Sequence, residues 1–504
     1  MVRRRAFKPP LFYASTEIAA ATPGSFYARL DAALAGKWER LARPLRAAFT
    51  EGWGRPTDPV VYLKCFLISY FENLVYDTDL AERIGDSIAL RSFLGYTLTE
   101  RTPDHSSLSR VRHALGACGG IEQVLAAAVA ACVEAGLVSG EVVAVDASLL
   151  PANAALSSLR SLTTGKSVRE HLQEVRARNR EREEGEPQEP ETLSNGEFAS
   201  GTDAEAKVAR KPGVRRGLYY RATHVTDGTQ QIILAAQGGD AEEGEAEAAG
   251  TPLTQAAQTL EANGLALGAV TADAGYDDAD FDAHVESLGG TPLTHLQKEG
   301  SSKLVGFRKS DFHYLAEEDC YQCPRGHRLA LCKRHTDRIE YRAAAELCRA
   351  CPDREACVGK SKSQSRSIWR VTHEASRERT AAAIATPEGR TLLKRRGAIV
   401  EGPFGHLKAY GGLWRLNCRG RAKVQVKVVL AAVAWNLIKL VEALFPKAAP
   451  ARVPVGVEAA GGLNRGSEIP SQTARCRPPR NGVSCWRRVA HTILFGLRPD
   501  MSHC

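Results

Sequence analysis

The sequence lacks any long uncharged apolar run, and no apolar segment follows its basic start. The most apolar late stretch, Val428–Ile438, is followed by Lys439 and Glu442, whereas about 20 apolar residues are needed to cross a bilayer. The opening MVRRRAFKPP has no hydrophobic continuation of the kind that a secretory signal contains. We therefore expect a buried helix at Val428–Ile438 and a cytoplasmic, nucleoid-associated protein that has no membrane partner.

Aspartate is missing from the most basic part of the chain. Between Lys360 and Lys427 there are 10 Arg and 6 Lys against 4 Glu and no Asp, an excess larger than the net charge of +9 for all 504 residues. With 25% charged and 43% hydrophobic residues, the composition excludes a wholly disordered or collagen-like chain. A local basic block is typical of a nucleic-acid-binding surface, although a solvated charged face has the same composition.

The first part of the chain, residues 1–138, reads as a helical domain. Apolar residues recur at helical spacing over Pro59–Leu74, Asp79–Leu94 and Ile121–Leu137. The stretch Thr102–Ser106 has the Pro and Asp typical of a helix start. Arg101, Arg110 and Arg112 beside short helices would suit a DNA-binding domain of the helix-turn-helix kind, and a plain helical bundle is the alternative.

Beyond Gly140 the pattern changes to an α/β arrangement over residues 139–445. Its predicted elements are a strand at Glu141–Leu150, a hairpin of Leu218–Thr226 and Gln231–Ala236, a helix at Pro252–Asn263, a strand at Ala266–Ala274, a helix at Asp280–Leu288 and a strand at Thr291–Leu296. Residues 157–213 read as a polar, flexible insertion, and residues 318–360 as a Cys-rich insertion. The tail, 446–504, is expected to lie outside the fold.

Two aspartates lie in otherwise apolar strands. Asp146 is in the run EVVAVDASLL, and Asp273 ends the run ALGAVTADA. A carboxylate in so apolar a strand is costly unless it is paired or lies at the strand's end near water. If the two strands are neighbours in the sheet, the carboxylates lie side by side, and a shared Mg²⁺ or Mn²⁺ would relieve their repulsion.

Hard divalent ions held by carboxylates suit phosphoryl transfer, in which two ions handle the attacking and the leaving oxygen. A third carboxylate is then expected later in the chain, and Glu401 is the candidate. It lies inside the basic block, after Arg395 and Arg396 and before Lys408. Taken alone, Glu401 would be an ordinary surface residue. In this order, the three acidic residues suggest a metal-dependent enzyme that acts on phosphates.

The sequence resembles the DDE transposases of bacterial insertion sequences, in the subgroup that has a Cys-rich insertion before the catalytic Glu. The resemblance runs from about Phe26 to Leu440. Its motifs are GRPTDP (Gly54–Pro59), ALRSFLGY (Ala89–Tyr96), TPDHSSLSRVR (Thr102–Arg112), VDASLLPANA (Val145–Ala154), TADAGYDD (Thr271–Asp278) and VEGPFGHLK (Val400–Lys408). Lys408 has the family's basic position seven residues after the Glu, and Pro403 is expected to disturb the helix that carries both.

The resemblance implies an RNase H-like catalytic domain, a mixed sheet flanked by helices, with Asp146, Asp273 and Glu401 as catalytic residues and ligands of two Mg²⁺ or Mn²⁺ ions. The implied reaction is hydrolysis of a phosphodiester at a transposon end, followed by attack of the freed 3′-hydroxyl on target DNA. Arg395, Arg396 and Lys408 would contact phosphates. Tyr276 is a candidate for stacking on or hydrogen-bonding to the terminal nucleotide, with simple packing as the equal alternative, and His406 either reaches the site or is a surface residue. The expected partners are double-stranded DNA and a second copy of the chain.

Six of the 13 cysteines fall in one short segment, which in a reducing compartment indicates metal binding or free thiols. The spacing leaves two zinc-ligand sets open. One is Cys320, Cys323, Cys348 and Cys351, and the other is Cys323, Cys348, Cys351 and Cys357, with His327 as a substitute in either. The resemblance favours the second set. Reduced thiols packed in a small insertion are the alternative.

Two other functions fit the same residues. The chain could be a DNA-binding protein that is derived from a transposase and has lost catalysis, or an RNase H-like nuclease that cuts DNA without joining it. A metal-dependent strand-transfer assay distinguishes all three.

Overall fold

A computed structural model of the chain describes residues 24–49, 58–170, 173, 194–211, 213–297, 306–358 and 364–446. All but the first residue of the predicted tail, 446–504, lies outside the described residues. The same is true of most of the GRPTDP motif and of the middle of the predicted polar insertion.

The N-terminal part is helical, as predicted. Its helices are α1 (Phe26–Ala33), α2 (Trp38–Ala42), α3 (Pro59–Phe71), α4 (Asp77–Asp86), α5 (Ile88–Leu94), α6 (His105–Cys118) and α7 (Glu122–Glu134), with a 3₁₀ turn at Arg43–Ala48. Asp104 caps α6 by accepting a hydrogen bond from the backbone N–H of Ser107 at 2.8 Å. The single helix predicted at Asp79–Leu94 is wrong, because Ser87 has an extended backbone that ends α4 and its hydroxyl caps α5.

A mixed sheet follows the helices. Its strands are β1 (Val142–Pro151), β4 (Lys207–Lys211), β5 (Val214–Asp227), β6 (Ile232–Asp240), β7 (Ala269–Ala272) and β8 (Thr291–Thr294). β5 is antiparallel to β1, β4 and β6, whereas β1, β7 and β8 are mutually parallel. The order is β4-β5-β1-β7-β8, with β6 also on β5. The strand that carries Asp146 is therefore the direct neighbour of the strand that precedes Asp273, which confirms the predicted adjacency.

Four helices flank this sheet, and two of them differ from the sequence prediction. They are α8 (Glu245–Ala262), α9 (Ala279–Ser287), α12 (Glu374–Ala385) and α13 (Pro387–Ala409). Helix α8 begins seven residues before the predicted start at Pro252, which lies inside it. Helix α13 runs without a break through Pro403, so the expected disturbance after Glu401 is absent from that described helix.

The last helix, α14 (Arg421–Leu444), joins the N-terminal helices to the sheet. The Asn436 side chain bonds both the N–H and the carbonyl of Ile233 in β6, each at 2.8 Å. One hydrophobic core includes Leu67 of α3, Val129 of α7 and Val145 of β1. The length and composition of α14 would suffice for a membrane span, but 83% of its apolar window is buried inside the protein. It is the buried helix that the sequence predicts.

The Cys-rich insertion is larger than residues 318–360. It is built on a five-stranded antiparallel sheet of β9 (His313–Leu315), β10 (Cys320–Gln322), β11 (Arg328–Arg334), β12 (Arg338–Ala343) and β13 (Ser367–Val371). Two short helices, α10 (Ala345–Ala350) and α11 (Arg354–Val358), connect β12 to β13. Tyr321, Leu329, Tyr341 and Ile368 form a small hydrophobic core of their own.

The described ends of the polar insertion are ordered rather than flexible. Strand β2 (Leu159–Ser161) pairs with β3 (Phe198–Ser200), and β4 extends the main sheet. Lys211, the last residue of β4, therefore has a fixed place beside the main sheet.

Candidate active site

Asp146 and Asp273 face each other across two parallel strands. The register pairs Val142 with Ala269 and Ala144 with Thr271. Because side chains alternate along a strand, continuing this register by two residues places Asp146 opposite Asp273 on the same face. Asp273 is the first residue after β7, where a parallel strand ends at a sheet edge and ligands commonly bind.

Local hydrogen bonds orient both carboxylates. Oδ1 of Asp273 accepts from the N–H of Gly275 at 2.9 Å and so caps the turn Ala274–Tyr276. Oδ1 of Asp146 accepts from the N–H of Ala147 at 2.9 Å. The loop after Asp273 is further held by Arg377 of α12, which binds both carboxylate oxygens of Asp277 at 2.9 Å. This loop is therefore fixed at both of its acidic ends.

The electrostatics of Asp146 reflect this crowding. The pKa of Asp146 is raised from 3.8 to about 6, mainly by burial. Arg396 and the Ala147 N–H oppose this rise, and the nearby carboxylates of Asp273 and Glu245 contribute to it. Nη1 of Arg396 lies 3.9 Å from Oδ2 of Asp146. The carboxylate thus has only partial compensation from the side chains around it.

The raised pKa of Asp146 predicts the pH dependence of stability without metal. A carboxyl group whose pKa is higher in the folded chain stabilises the fold below its unfolded pKa, and this stabilisation is lost as the pH rises through about 6. At pH 7, in chelator, Asp146→Asn should raise the free energy of unfolding by about 2 kcal/mol, and the gain should vanish near pH 4. Denaturant titrations at the two pH values measure this difference. A variant less stable than wild type at pH 7 contradicts it.

Glu401 lies on α13, which crosses the sheet over β1. On this helix Arg396 approaches Asp146, and Nζ of Lys408 donates a hydrogen bond to the Ser148 hydroxyl in β1. Glu401 lies between these two contacts and is exposed. Its Oε1 leans back over Gly397, where an added Cβ would lie 3.2 Å away. Among the described residues, Asp146, Asp273 and Glu401 do not form a three-carboxylate cluster, so the structure brings two of the three together and leaves Glu401 on α13.

The predicted basic residues differ in their surroundings. Arg396 and Lys408 reach β1, and burial lowers the pKa of Lys408 while Asp146 opposes that change. Arg395 is exposed on the same helix. Arg112, predicted as part of the DNA-binding element, is instead paired with Asp77 at 2.6 Å and stacked over Phe66. That guanidinium stabilises the helical layer, and Arg101 and Arg110 are the exposed members of the set.

Two aromatic predictions are wrong. Tyr276 is fully buried and packs on Phe281, so its ring cannot stack on a nucleotide. His406 packs against Trp435 and Tyr410, away from the aspartates, and burial lowers its pKa. The pattern of apolar residues around Tyr276 and His406 does not indicate that neighbouring side chains cover both rings.

His224 is buried beside Asp146 and Asp273, and no sequence pattern singles it out. It lies opposite Asp146 in β5 and stacks on Phe404 of α13 with ring centroids 4.4 Å apart. Neither ring nitrogen has a hydrogen-bond partner among the described residues. Burial, with Lys408 nearby, lowers the pKa of His224 to about 3, so the ring is neutral and packs α13 against the strand.

A fourth carboxylate, Glu245, was also missed. It is the first residue of α8, and its Oε1 pairs with Lys211 and with Nη1 of Arg221, the latter at 3.1 Å. The sequence prediction began this helix at Pro252, because proline favours a helix start. That prediction leaves Glu245 outside the helix. Glu245 lies beside the Asp273 loop because α8 begins at Glu245, seven residues before Pro252.

The cysteines of the insertion separate into two groups. Cys323, Cys348, Cys351 and Cys357, with His327, line one cavity of about 30 Å³. Cys320 is buried with its Sγ 3.9 Å from Oε2 of Glu318 and does not line that cavity. Burial raises the pKa of Cys357, and the other three thiols of the first group raise it further. The described cysteines are free thiols, and all four members of the second predicted ligand set line the same cavity.

Among the described residues, no three His, Cys, Asp or Glu side chains stand close enough to enclose a single ion as they are placed. The donors nevertheless match divalent ions in kind. Carboxylate oxygens are the ligands that Mg²⁺ and Mn²⁺ prefer, and thiolates are those of structural zinc. A third carboxylate ligand at the aspartates would have to come from a side chain that moves, and Glu401 is exposed on α13.

Comparison with known families places transposase domains at both ends of the chain. A family model described as Transposase DDE domain matches residues 322–441, a stretch that contains Glu401 and the four converging cysteines. A model described as Transposase domain (DUF772) matches residues 16–114. Residues 115–321, with both aspartates, lie outside the two matches. A search of curated proteins found no match. Together, the two domain matches support a DDE transposase of the insertion-sequence type.

Proposed function

We propose that this transposase cleaves DNA at the ends of an insertion sequence and joins the freed ends to a target, with divalent metal ions. The observation that carries the proposal is the register of β1 and β7, which places Asp146 opposite Asp273 under the helix that bears Glu401. The strand order supports an RNase H-like fold, since an antiparallel set of β6, β5 and β1 continues into the parallel strands β7 and β8.

The proposed metal ligands are Asp146, Asp273 and Glu401, and the proposed ions are two Mg²⁺ or Mn²⁺. The raised pKa of Asp146 supports this assignment, because a cation relieves the repulsion between crowded carboxylates. When bound, two such ions would activate the attacking oxygen and stabilise the leaving oxygen of an in-line displacement. The attacking oxygen belongs first to water and then to the freed 3′-hydroxyl, so the protein forms no covalent bond to DNA.

The proposed role of Arg395, Arg396 and Lys408 is to hold phosphates next to the scissile bond. Arg396 and Lys408 contact β1 within three residues of each other, at Asp146 and at Ser148. A duplex that lies along α13 would meet both cations at the carboxylates. Fixed cations of this kind stabilise the charge that develops on a phosphoryl group.

Lys408→Met should weaken binding to DNA of any sequence and make that binding less dependent on salt. Loss of one phosphate contact lowers the slope of log affinity against log salt by about 0.9. Binding of the full chain to a duplex cut from the DNA flanking this gene, measured at several salt concentrations, gives the slope. Lys439→Met is the control, because Lys439 lies over Trp435 and near Glu442. An unchanged slope for Lys408→Met would remove this lysine from the DNA-binding surface.

Four further assignments complete the proposal. The helices α4 to α6, with Arg101 and Arg110 exposed, are proposed to bind the transposon ends. Cys323, Cys348, Cys351 and Cys357 are proposed to hold one structural Zn²⁺, because their convergence on one small cavity suits four thiolate ligands. A homodimer is proposed because two transposon ends require two active sites, and a cytoplasmic location at the nucleoid because the substrate is DNA.

A strand-transfer assay tests the function. The full chain is incubated with a plasmid that carries this gene and its flanking DNA, in Mg²⁺ and in chelator. We expect nicked and joined products in Mg²⁺ alone. Joined products that are absent while nicks form would support a nuclease, and binding without either product would support a transposase-derived DNA-binding protein. Inverted repeats with a short target duplication around the gene would agree with transposition.

A further inference from the structure

The carboxylate of Glu245 lies against the loop that carries Asp273. Its Oε2 faces the backbone of Gly275, where an added Cβ would be 2.2 Å from this oxygen and 3.1 Å from Oδ1 of Asp273. Oxygens of both acidic residues therefore lie close to the same glycine. A side chain at position 275 would meet the Glu245 carboxylate, so its present approach to this loop depends on glycine.

A second observation marks this place as a site. Tyr276 is fully buried, and its hydroxyl has no hydrogen-bond partner among the described residues. Burial holds the pKa of this hydroxyl well above its usual value, and Asp146, Glu245 and Asp273 each raise it further. A buried hydroxyl without a partner is costly. A buried donor near three carboxylates would gain its bond if one of them shifted toward it.

The cations on Glu245 differ in how firmly they are held. Arg221 is buried, and its guanidinium also donates to the carbonyls of Glu243 at 2.7 Å and Ala241 at 3.2 Å. Lys211 is partly exposed at the end of strand β4 and has a flexible stem. Arg221 can therefore orient Glu245 permanently, whereas Lys211 can leave when a divalent ion arrives.

We propose that Glu245 is a fourth carboxylate of the metal site, oriented by Arg221 and neutralised by Lys211 until a divalent ion replaces the ammonium group. This inference rests on the proposed function and adds a ligand from the first helix after the antiparallel strands. It also gives Lys211, at the end of the polar insertion, a role as a reversible occupant of the site.

Binding of Mn²⁺ to the full chain, measured by isothermal titration calorimetry without DNA, tests the proposal. Glu245→Gln should weaken Mn²⁺ binding about tenfold, as loss of a ligand or its orienting partner commonly does. Glu247→Gln, on the exposed side of the same helix turn, should bind Mn²⁺ as the wild type does. Asp146→Asn separates the two levels of the account: if it leaves the affinity intact, the proposed function fails, whatever Glu245 does.

A double-mutant cycle keeps the test decisive if Glu245→Gln is destabilised by leaving Arg221 unpaired. Lys211→Met should strengthen Mn²⁺ binding in the wild-type background and have a markedly smaller effect beside Glu245→Gln, because the lysine competes with the ion for that carboxylate. Additive effects of the two substitutions would overturn the proposal. So would wild-type Mn²⁺ affinity in Glu245→Gln with a loss of affinity in Asp146→Asn, which would make Glu245 a structural ion pair only.

Discussion

Replacing Asp146 or Asp273 with Asn, or Glu401 with Gln, is expected to lower strand cleavage in Mg²⁺ at least about a thousandfold. Each substitution keeps the size of the side chain and removes one anionic ligand from a site that needs several to hold its ions. Binding to the flanking DNA should remain measurable, because the substitutions leave Arg396 and Lys408, the proposed phosphate contacts on α13, in place. Gel analysis of plasmid nicking and joining, beside a binding assay on the same preparations, gives both quantities.

Matched acidic residues supply the controls for these variants. Glu388 lies on the same helix as Glu401 but in its exposed first turn. Asp280 is exposed on α9, paired with His373 rather than with the site. Glu388→Gln and Asp280→Asn should retain cleavage within a few-fold. Wild-type cleavage by any one of the three site variants would show that its residue does not act as a ligand.

Loss of zinc from the insertion is the second large effect that we expect. Cys348→Ser should reduce the bound zinc from about one ion per chain to none, since a structural site needs all four ligands. The insertion sheet has only a few buried side chains of its own, so it should become sensitive to protease when the metal is lost. Elemental analysis of protein purified without chelator, together with limited proteolysis, measures both effects.

Two other cysteines make this test specific. Cys332 is exposed on β11 and lies away from the cavity, so Cys332→Ser should keep its zinc. Cys320→Ser distinguishes the two predicted ligand sets, because Cys320 lies beside Glu318 and not at the cavity. Zinc-free wild-type protein would reject the site altogether, and loss of zinc in Cys320→Ser would restore the other ligand set.

The parts of the fold that sequence alone predicts are those governed by local patterns. Apolar strands and helices of the main body were located because their periodicity is strong, as in Val142–Pro151 and Arg421–Leu444. The pairing of Asp146 with Asp273 depends on their strands being neighbours, which β1 and β7 are. These features depend on which residues are apolar and on little else.

The rest depends on tertiary packing that overrides local preferences. Pro252 lies inside α8 and Pro403 inside α13, so both helices are longer than proline placement suggests, and Glu245 was hidden by the first of these errors. The strands of the insertion are short and rich in exposed Arg, so they lack the alternation by which strands are found. The sequence suggests Arg112 as a DNA contact, but in the fold its guanidinium is paired with Asp77 and stacked over Phe66.

The central claim is that Asp146, Asp273 and Glu401 meet at bound divalent ions. Crystals of the full chain soaked in Mn²⁺ test it most directly, because anomalous scattering locates manganese independently of the protein atoms. We expect a manganese peak between Asp146 and Asp273, with the Glu401 carboxylate rotated away from Gly397 to reach it. Manganese elsewhere on the molecule, or a Glu401 side chain that still leans on Gly397 beside a filled aspartate pair, would contradict the account.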